Sequence, residues 1–219
     1  MTHCFSRRSF LKGSAAAAAV LSSPLLPADA AFSETENGLF SPVSALCQTQ
    51  YGPVKGREGE NGLLCWYGIP YGAAPTGESR WTAPQEPACW HTVRDCTSPA
   101  PAAYQYTTFP LGTEDCLTLD IYSSAEAKKR PVLVYLHGSA ATGSSLELPG
   151  CELVRDAGCV FVALNYRLGL FGWNCLPALT ADPDATGNFA LLDIARALDW
   201  VRDNIRRFGG DADNITLCG

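Results

Sequence analysis

The chain has 219 residues, 47% of them hydrophobic and 17% charged, a balance that supplies a sizeable core and excludes long-range disorder. With 16 Lys and Arg against 22 Asp and Glu the net charge is −6, and the one basic run, Lys128-Lys129-Arg130, reads as a solvated turn before a strand. Nucleic acid is thereby excluded as the main partner, and the length fits one domain or two small ones.

The N-terminus reads Ser6-Arg7-Arg8-Ser9-Phe10-Leu11-Lys12, then an uncharged, alanine-rich stretch from Gly13 to Pro27, then Ala28-Asp29-Ala30. The arginine pair resembles a twin-arginine export signal, and Ala28 and Ala30 are the small residues a signal peptidase requires. The apolar stretch falls short of the roughly 20 residues that span a bilayer. Residues 1–30 are therefore read as a cleaved leader, the twin-arginine machinery as a partner, and the destination as the periplasm or the extracellular space. Nine of the 10 cysteines lie beyond the leader, in a chain bound for an oxidising compartment. No Cys-x-x-Cys spacing occurs and only His91 and His137 remain as imidazoles, so neither a metal site nor a cofactor is expected.

Residues 31–48 are mixed and read as a linker, with folding expected from about Thr49 and Leu46 and Cys47 as the alternative start of the domain. Tyr51 to Lys55 and Leu63 to Tyr67, separated by Glu60-Asn61-Gly62, predict a hairpin or small meander. The stretch 72–113 is broken by Pro75, Pro84, Pro87, Pro99, Pro101 and Pro110, which predicts an irregular layer packed by Trp81, Trp90 and Tyr104. Leu117 to Tyr122 alternates as a strand, whereas Val132 to Leu136 and Val160 to Leu164 are unbroken apolar runs suited to a doubly covered sheet. A glycine-containing loop and a short helix, Glu152 to Ala157, lie between those two runs and predict a parallel βαβ unit. Apolar residues at three- and four-residue spacing predict a helix from Asp193 to Phe208, stopped at Gly209-Gly210, with a buried strand from Ile215 to Cys218 after it.

Several separated motifs then coincide. They are Trp66-Tyr67-Gly68-Ile69-Pro70-Tyr71, Arg80-Trp81, Glu114-Asp115-Cys116-Leu117-Thr118-Leu119-Asp120, Asn165-Tyr166-Arg167-Leu168-Gly169, Gly187-Asn188 with Leu191-Leu192-Asp193, and Phe208-Gly209-Gly210-Asp211 with Asn214-Ile215-Thr216-Leu217. In order and spacing, residues 49–219 resemble the N-terminal part of the type B carboxylesterase and lipase family. The resemblance implies an α/β-hydrolase fold, here truncated, with a mostly parallel central sheet preceded by an antiparallel hairpin. It also implies a small-molecule carboxylic ester as substrate. In that family Gly219 would open the Gly-x-Ser-x-Gly nucleophile elbow, so serine, acid and histidine all fall outside the 219 residues, and this chain alone is expected to be an inactive fragment lacking its C-terminal half.

Within the chain, the resemblance assigns an oxyanion role to Gly138, Ser139 and Ala140, where Ser139 and Ala140 fill the second and third positions of the usual Gly-Gly-Gly or Gly-Gly-Ala. His137 reads as structural. The pairs Arg80 with Glu114 and Arg167 with Asp193 are implied as scaffold salt bridges. The family's early disulfide has lost its upstream cysteine to Ala103, which leaves Cys96 as the substitute partner for Cys116. The alternative to an esterase is a non-catalytic binding member of the same fold, or a remnant of one.

Overall fold

The computed structural model describes residues 43–148, 150–179 and 187–219; the leader and most of the 31–48 linker lie outside the described residues. Its frame is a six-stranded sheet of β3 (Arg57–Glu58), β4 (Leu63–Pro70), β8 (Thr118–Ser124), β9 (Arg130–Leu136), β10 (Val160–Leu164) and β11 (Gly210–Cys218). In spatial order these run β11-β9-β10-β8-β4-β3. Parallel pairing joins β11 to β9 and β9 to β10, and antiparallel pairing joins β10 to β8, β8 to β4 and β4 to β3. The sheet is therefore mixed over this span, parallel at one end and antiparallel at the other.

Alternation across the pleat sorts the side chains into two cores. Val132, Val134, Val160, Val162, Leu164, Leu119, Ile121 and Trp66 face one side, where helix α3 (Phe189–Asn204) brings Ala197, Trp200 and Val201. Phe161, Ala163, Tyr122, Cys65 and Tyr67 face the other, beneath helix α1 (Gly150–Ala157) with its Val154. All five residues of β10 are buried, but β9 is buried on one face only, because the short α1 leaves Leu133 and Tyr135 partly open.

Three expectations shift. The folded region begins before Thr49, at the alternative start near Leu46 and Cys47, since β1 (Leu46–Gln48) pairs antiparallel with β2 (Pro53–Lys55), and Ala45 and Cys47 are buried. That small sheet is completed by β5 (Arg94–Asp95), parallel to β2, so the residues from Tyr51 to Lys55 do not form the hairpin with Leu63 to Tyr67; β3 does. Strands β6 (Gln105–Tyr106) and β7 (Pro110–Leu111) make a separate ribbon inside the proline-rich layer, where Trp81 and Tyr104 both pack on Phe171. The helix expected from Asp193 starts four residues earlier, at Phe189, and its last turn, Ile205–Phe208, tightens to a 3-10 helix before Gly209 at φ 84° ends it.

Strand β11 forms the sheet edge among the described residues, with Leu217 48% exposed. It is not enclosed as its apolar run alone predicts but presents the uncovered apolar edge that the family resemblance implies for Ile215 to Cys218. An open strand carrying an exposed leucine invites edge-to-edge pairing. Leu217→Lys is expected to lower self-association in sedimentation velocity; unchanged association would place the contact elsewhere.

Candidate functional site

Strand β9 ends at Leu136 and delivers His137 and the segment Gly138 to Ala140 to the rim of the sheet. Ser139 adopts φ 72°, a left-handed conformation that costs a non-glycine residue roughly 1–2 kcal/mol. Its own hydroxyl offsets this by accepting from the N–H groups of Ala141 (3.1 Å) and Thr142 (3.3 Å). The N–H groups of Ser139 and Ala140 donate to no acceptor among the described residues, and both residues are exposed. Ser139→Ala, which keeps the conformation and loses the hydroxyl, is expected to destabilise by about 1–2 kcal/mol, and Ser139→Gly by less than about 1 kcal/mol, in urea titrations. Ser139→Ala at the parent's midpoint would mean the hydroxyl bonds contribute nothing, and Ser139→Gly less stable than Ser139→Ala would mean the left-handed conformation carries no cost.

The loop is held from several sides. The carbonyl of Ala140 accepts from Gly169 N–H (2.7 Å), at the start of the one-turn helix α2 (Gly169–Gly172). Gln105 clamps Gly143 twice, its amide donating to the Gly143 carbonyl (2.8 Å) and its oxygen accepting from the Gly143 N–H (3.0 Å). Further along, Ser145 N–H donates to Asn165 Oδ1 (2.9 Å) and Ser145 Oγ donates to Asp120 Oδ2 (2.7 Å). Asp120 also accepts from Gly68 N–H (2.7 Å), an amide displaced from the ladder by the β4 bulge between Trp66 and Ile69. Burial pushes the Asp120 carboxyl up to about 6 against the pull of its two donors.

His137 packs under this loop. Its ring stacks on Tyr166 with centroids 4.3 Å apart, and Tyr166 Oη donates to the His137 carbonyl (2.6 Å). A Cβ at Gly143, whose φ is 137°, would strike His137 Nδ1, so the loop crosses the ring where only glycine fits. Burial lowers the His137 pKa, with Nε2 lacking a partner among the described residues. The ring is a neutral support at neutral pH.

Two ion pairs brace the layer beside the loop. Arg80 donates Nε and Nη2 to Glu114 (2.6 and 2.9 Å), partly exposed, with its guanidinium over Trp81 and Phe171. Arg167 donates Nε and Nη2 to Asp193 (2.8 and 2.7 Å), fully buried and resting on the Phe189 ring. Arg167 Nη1 reaches the carbonyls of Arg80 and Thr82 (2.9 and 3.0 Å), so the two pairs form one continuous brace.

The proposed Cys96 to Cys116 bridge does not form; both are free, buried thiols. Cys96 is fixed by backbone bonds to Lys55 and Tyr67, whereas Cys116 lies beside Glu114 and Arg167. The supporting roles of Gln105, Ser145 and Asp120 were not among the sequence expectations. The legible signal was Asp120 itself, a carboxylate amid the apolar residues of a strand.

The chain matches the family model described as Carboxylesterase family over residues 43–219, and the model for a twin-arginine translocation pathway signal sequence over residues 4–23. It is 41% identical over 183 residues to the para-nitrobenzyl esterase of Bacillus subtilis (strain 168), covering 78% of this chain and 37% of that relative. It is 36% identical over 184 residues to the fumonisin B1 esterase of Sphingopyxis macrogoltabida, covering 78% of this chain and 34% of that one. Among solved structures, a PNB esterase aligns with a TM-score of 0.72 at 41% identity, covering 78% of this chain and 37% of that one. A Geobacillus stearothermophilus carboxylesterase aligns with a TM-score of 0.73 at 39% identity, covering 79% and 37%. The chain thus spans little more than a third of the relatives it matches. Its signal directs it by the twin-arginine route to the periplasm or the extracellular space. With the α/β-hydrolase fold shared by these structures and the family model matched across every described residue, the chain belongs to the carboxylesterase family.

Proposed function

We propose that residues 31–219 are the N-terminal part of an exported serine hydrolase of small carboxylic esters. The observation that carries this reading is the pair of exposed N–H groups at Ser139 and Ala140, which engage no acceptor among the described residues, on a loop held at the end of a parallel strand by Gly169, Gln105 and Asn165. Attack of a serine hydroxyl on an ester carbon puts negative charge on the carbonyl oxygen, and two preorganised amides at that point stabilise the tetrahedral intermediate before and after the acyl-enzyme. Gly138 precedes them as the turn. His137 does not take the serine's proton, since its ring is buried, neutral and stacked on Tyr166; acid, base and nucleophile come from chain beyond Gly219. By themselves the 219 residues are therefore inactive.

The test is to read the coding sequence past codon 219 and assay both lengths on a short-chain p-nitrophenyl ester. Hydrolysis by the longer product alone supports the reading. A longer product with a substituted serine and no hydrolysis would favour a binding member of the family.

A further inference from the structure

The second core holds a pair of thiols that ester hydrolysis does not use. Cys65, on β4, and Cys151, in the first turn of α1, lie 86 residues apart in sequence with their sulfurs 3.7 Å apart. Cys65 is 1% exposed and packs with Tyr67, Tyr122 and Phe161, while Cys151 is half-buried where α1 meets the sheet. Other buried thiols are engaged differently: Cys47 donates to the Ser44 carbonyl and Cys159 to that of Leu153.

We propose that Cys65 and Cys151 form an intramolecular disulfide after export, cross-linking α1 to β4 on the face of the sheet opposite α3. The sulfurs need to close by about 2 Å to reach bonding distance, within the range of a side-chain rotation on two anchored elements. The export signal supplies the setting, because twin-arginine passage leads to compartments where bridges persist.

The oxidant is a small external disulfide. The Cys151 thiolate, at the more accessible position, attacks one sulfur of that disulfide, breaks its S–S bond and releases one thiol. Cys65 then loses its proton and attacks Cys151 Sγ, expelling the second thiol and closing the bridge. Two protein thiols are oxidised by two electrons, and one external disulfide is reduced to two thiols. Burial, with the neighbouring Cys151 next, pushes the Cys65 thiol up to about 12, which makes Cys65 the slower partner and fits it to the second step.

The full chain, exported through its own leader, is denatured in N-ethylmaleimide and digested without reductant. The expected product is one linked peptide pair containing Cys65 and Cys151, about 2 Da lighter than the two thiol peptides together. A second sample, retained in the cytoplasm and purified reduced, is exposed to glutathione disulfide, with loss of the same two thiols and no retained glutathione. Cys151→Ser is expected to leave Cys65 alkylated in both samples. Reductant is expected to lower the melting temperature of the bridged chain by about 5–15 °C. Alkylation of both cysteines in both samples, glutathione remaining on Cys151, or Cys65 linked to a different cysteine would each overturn the proposal.

Discussion

Arg167→Met is expected to cost about 3–5 kcal/mol of folding stability, a large part of the roughly 5–15 kcal/mol available to a domain. The guanidinium is 2% exposed, and it neutralises Asp193 while satisfying the carbonyls of Arg80 and Thr82. Methionine fills much of the space but leaves the carbonyls of Arg80 and Thr82 without that donor and the fully buried Asp193 carboxylate without its counter-charge. Of the bonds the arginine residue makes to that carboxylate, only the one from the backbone N–H of residue 167 (3.2 Å) remains. Burial already raises the Asp193 pKa, and Arg167 is what restrains it. Without the arginine the folded-state pKa rises further above its unfolded value, so the folded state binds the extra proton and stability falls as pH rises. The deficit is therefore expected to be larger at pH 8 than at pH 5 in denaturant titrations. Arg167→Met with Asp193→Leu is expected to recover part of the loss, because no buried charge remains. A single variant unfolding at the parent's denaturant midpoint would show that the brace contributes nothing.

How much of this was legible in the sequence depended on whether a residue's neighbours in space were also its neighbours in a pattern. Strand β10 announces itself as an unbroken apolar run of five residues and helix α3 by burial that repeats at the helix period. Strand β1 has only three residues, too few to show a period, and is defined by its pairing with β2. The last four residues of β11, Ile215 to Cys218, are as β-favouring as those of β10, yet β11 lies at the edge of the sheet among the described residues and β10 in its centre, because composition says nothing about what lies alongside. The salt bridges could be placed only through the family motifs, since no local rule pairs Arg80 with Glu114. The link between the two pairs, Arg167 Nη1 on the Arg80 carbonyl, is backbone geometry that no side-chain pattern encodes. The same holds for the oxyanion segment: Gly138 to Ala140 stand out as a strand-end loop, but the clamp on Gly143 comes from Gln105 in the proline-rich layer.

Asp120→Asn is expected to stabilise the chain at pH 8 by about 1–3 kcal/mol. Asp120 is 1% exposed, and its two close partners, Gly68 N–H and Ser145 Oγ, are neutral. Two neutral donors do not repay the removal of a carboxylate from water, and the group sits at about 6 instead of its usual 3.8. Between those values the folded state holds a proton that the unfolded chain has released, so stability is greatest below about pH 4 and declines as pH rises through 6. Asparagine removes the charge at nearly constant shape, keeps an oxygen for Gly68 N–H and offers an amide to Ser145 Oγ. The gain should therefore shrink as pH falls through 6 and vanish only below about pH 4, where Asp120 is protonated in both the folded and the unfolded chain, and denaturant midpoints of both proteins from pH 3 to 8 test this. The loop bearing Ser139 and Ala140 is tied to Asp120 through Ser145, so amide exchange at residues 139–145 is expected to slow in the variant at pH 8, with the difference from the parent shrinking as pH falls through 6 toward 4. A gain independent of pH would mean that Asp120 titrates as an ordinary carboxylate, and a loss at pH 8 would mean that the bonds from Gly68 and Ser145 to the charged form outweigh its burial.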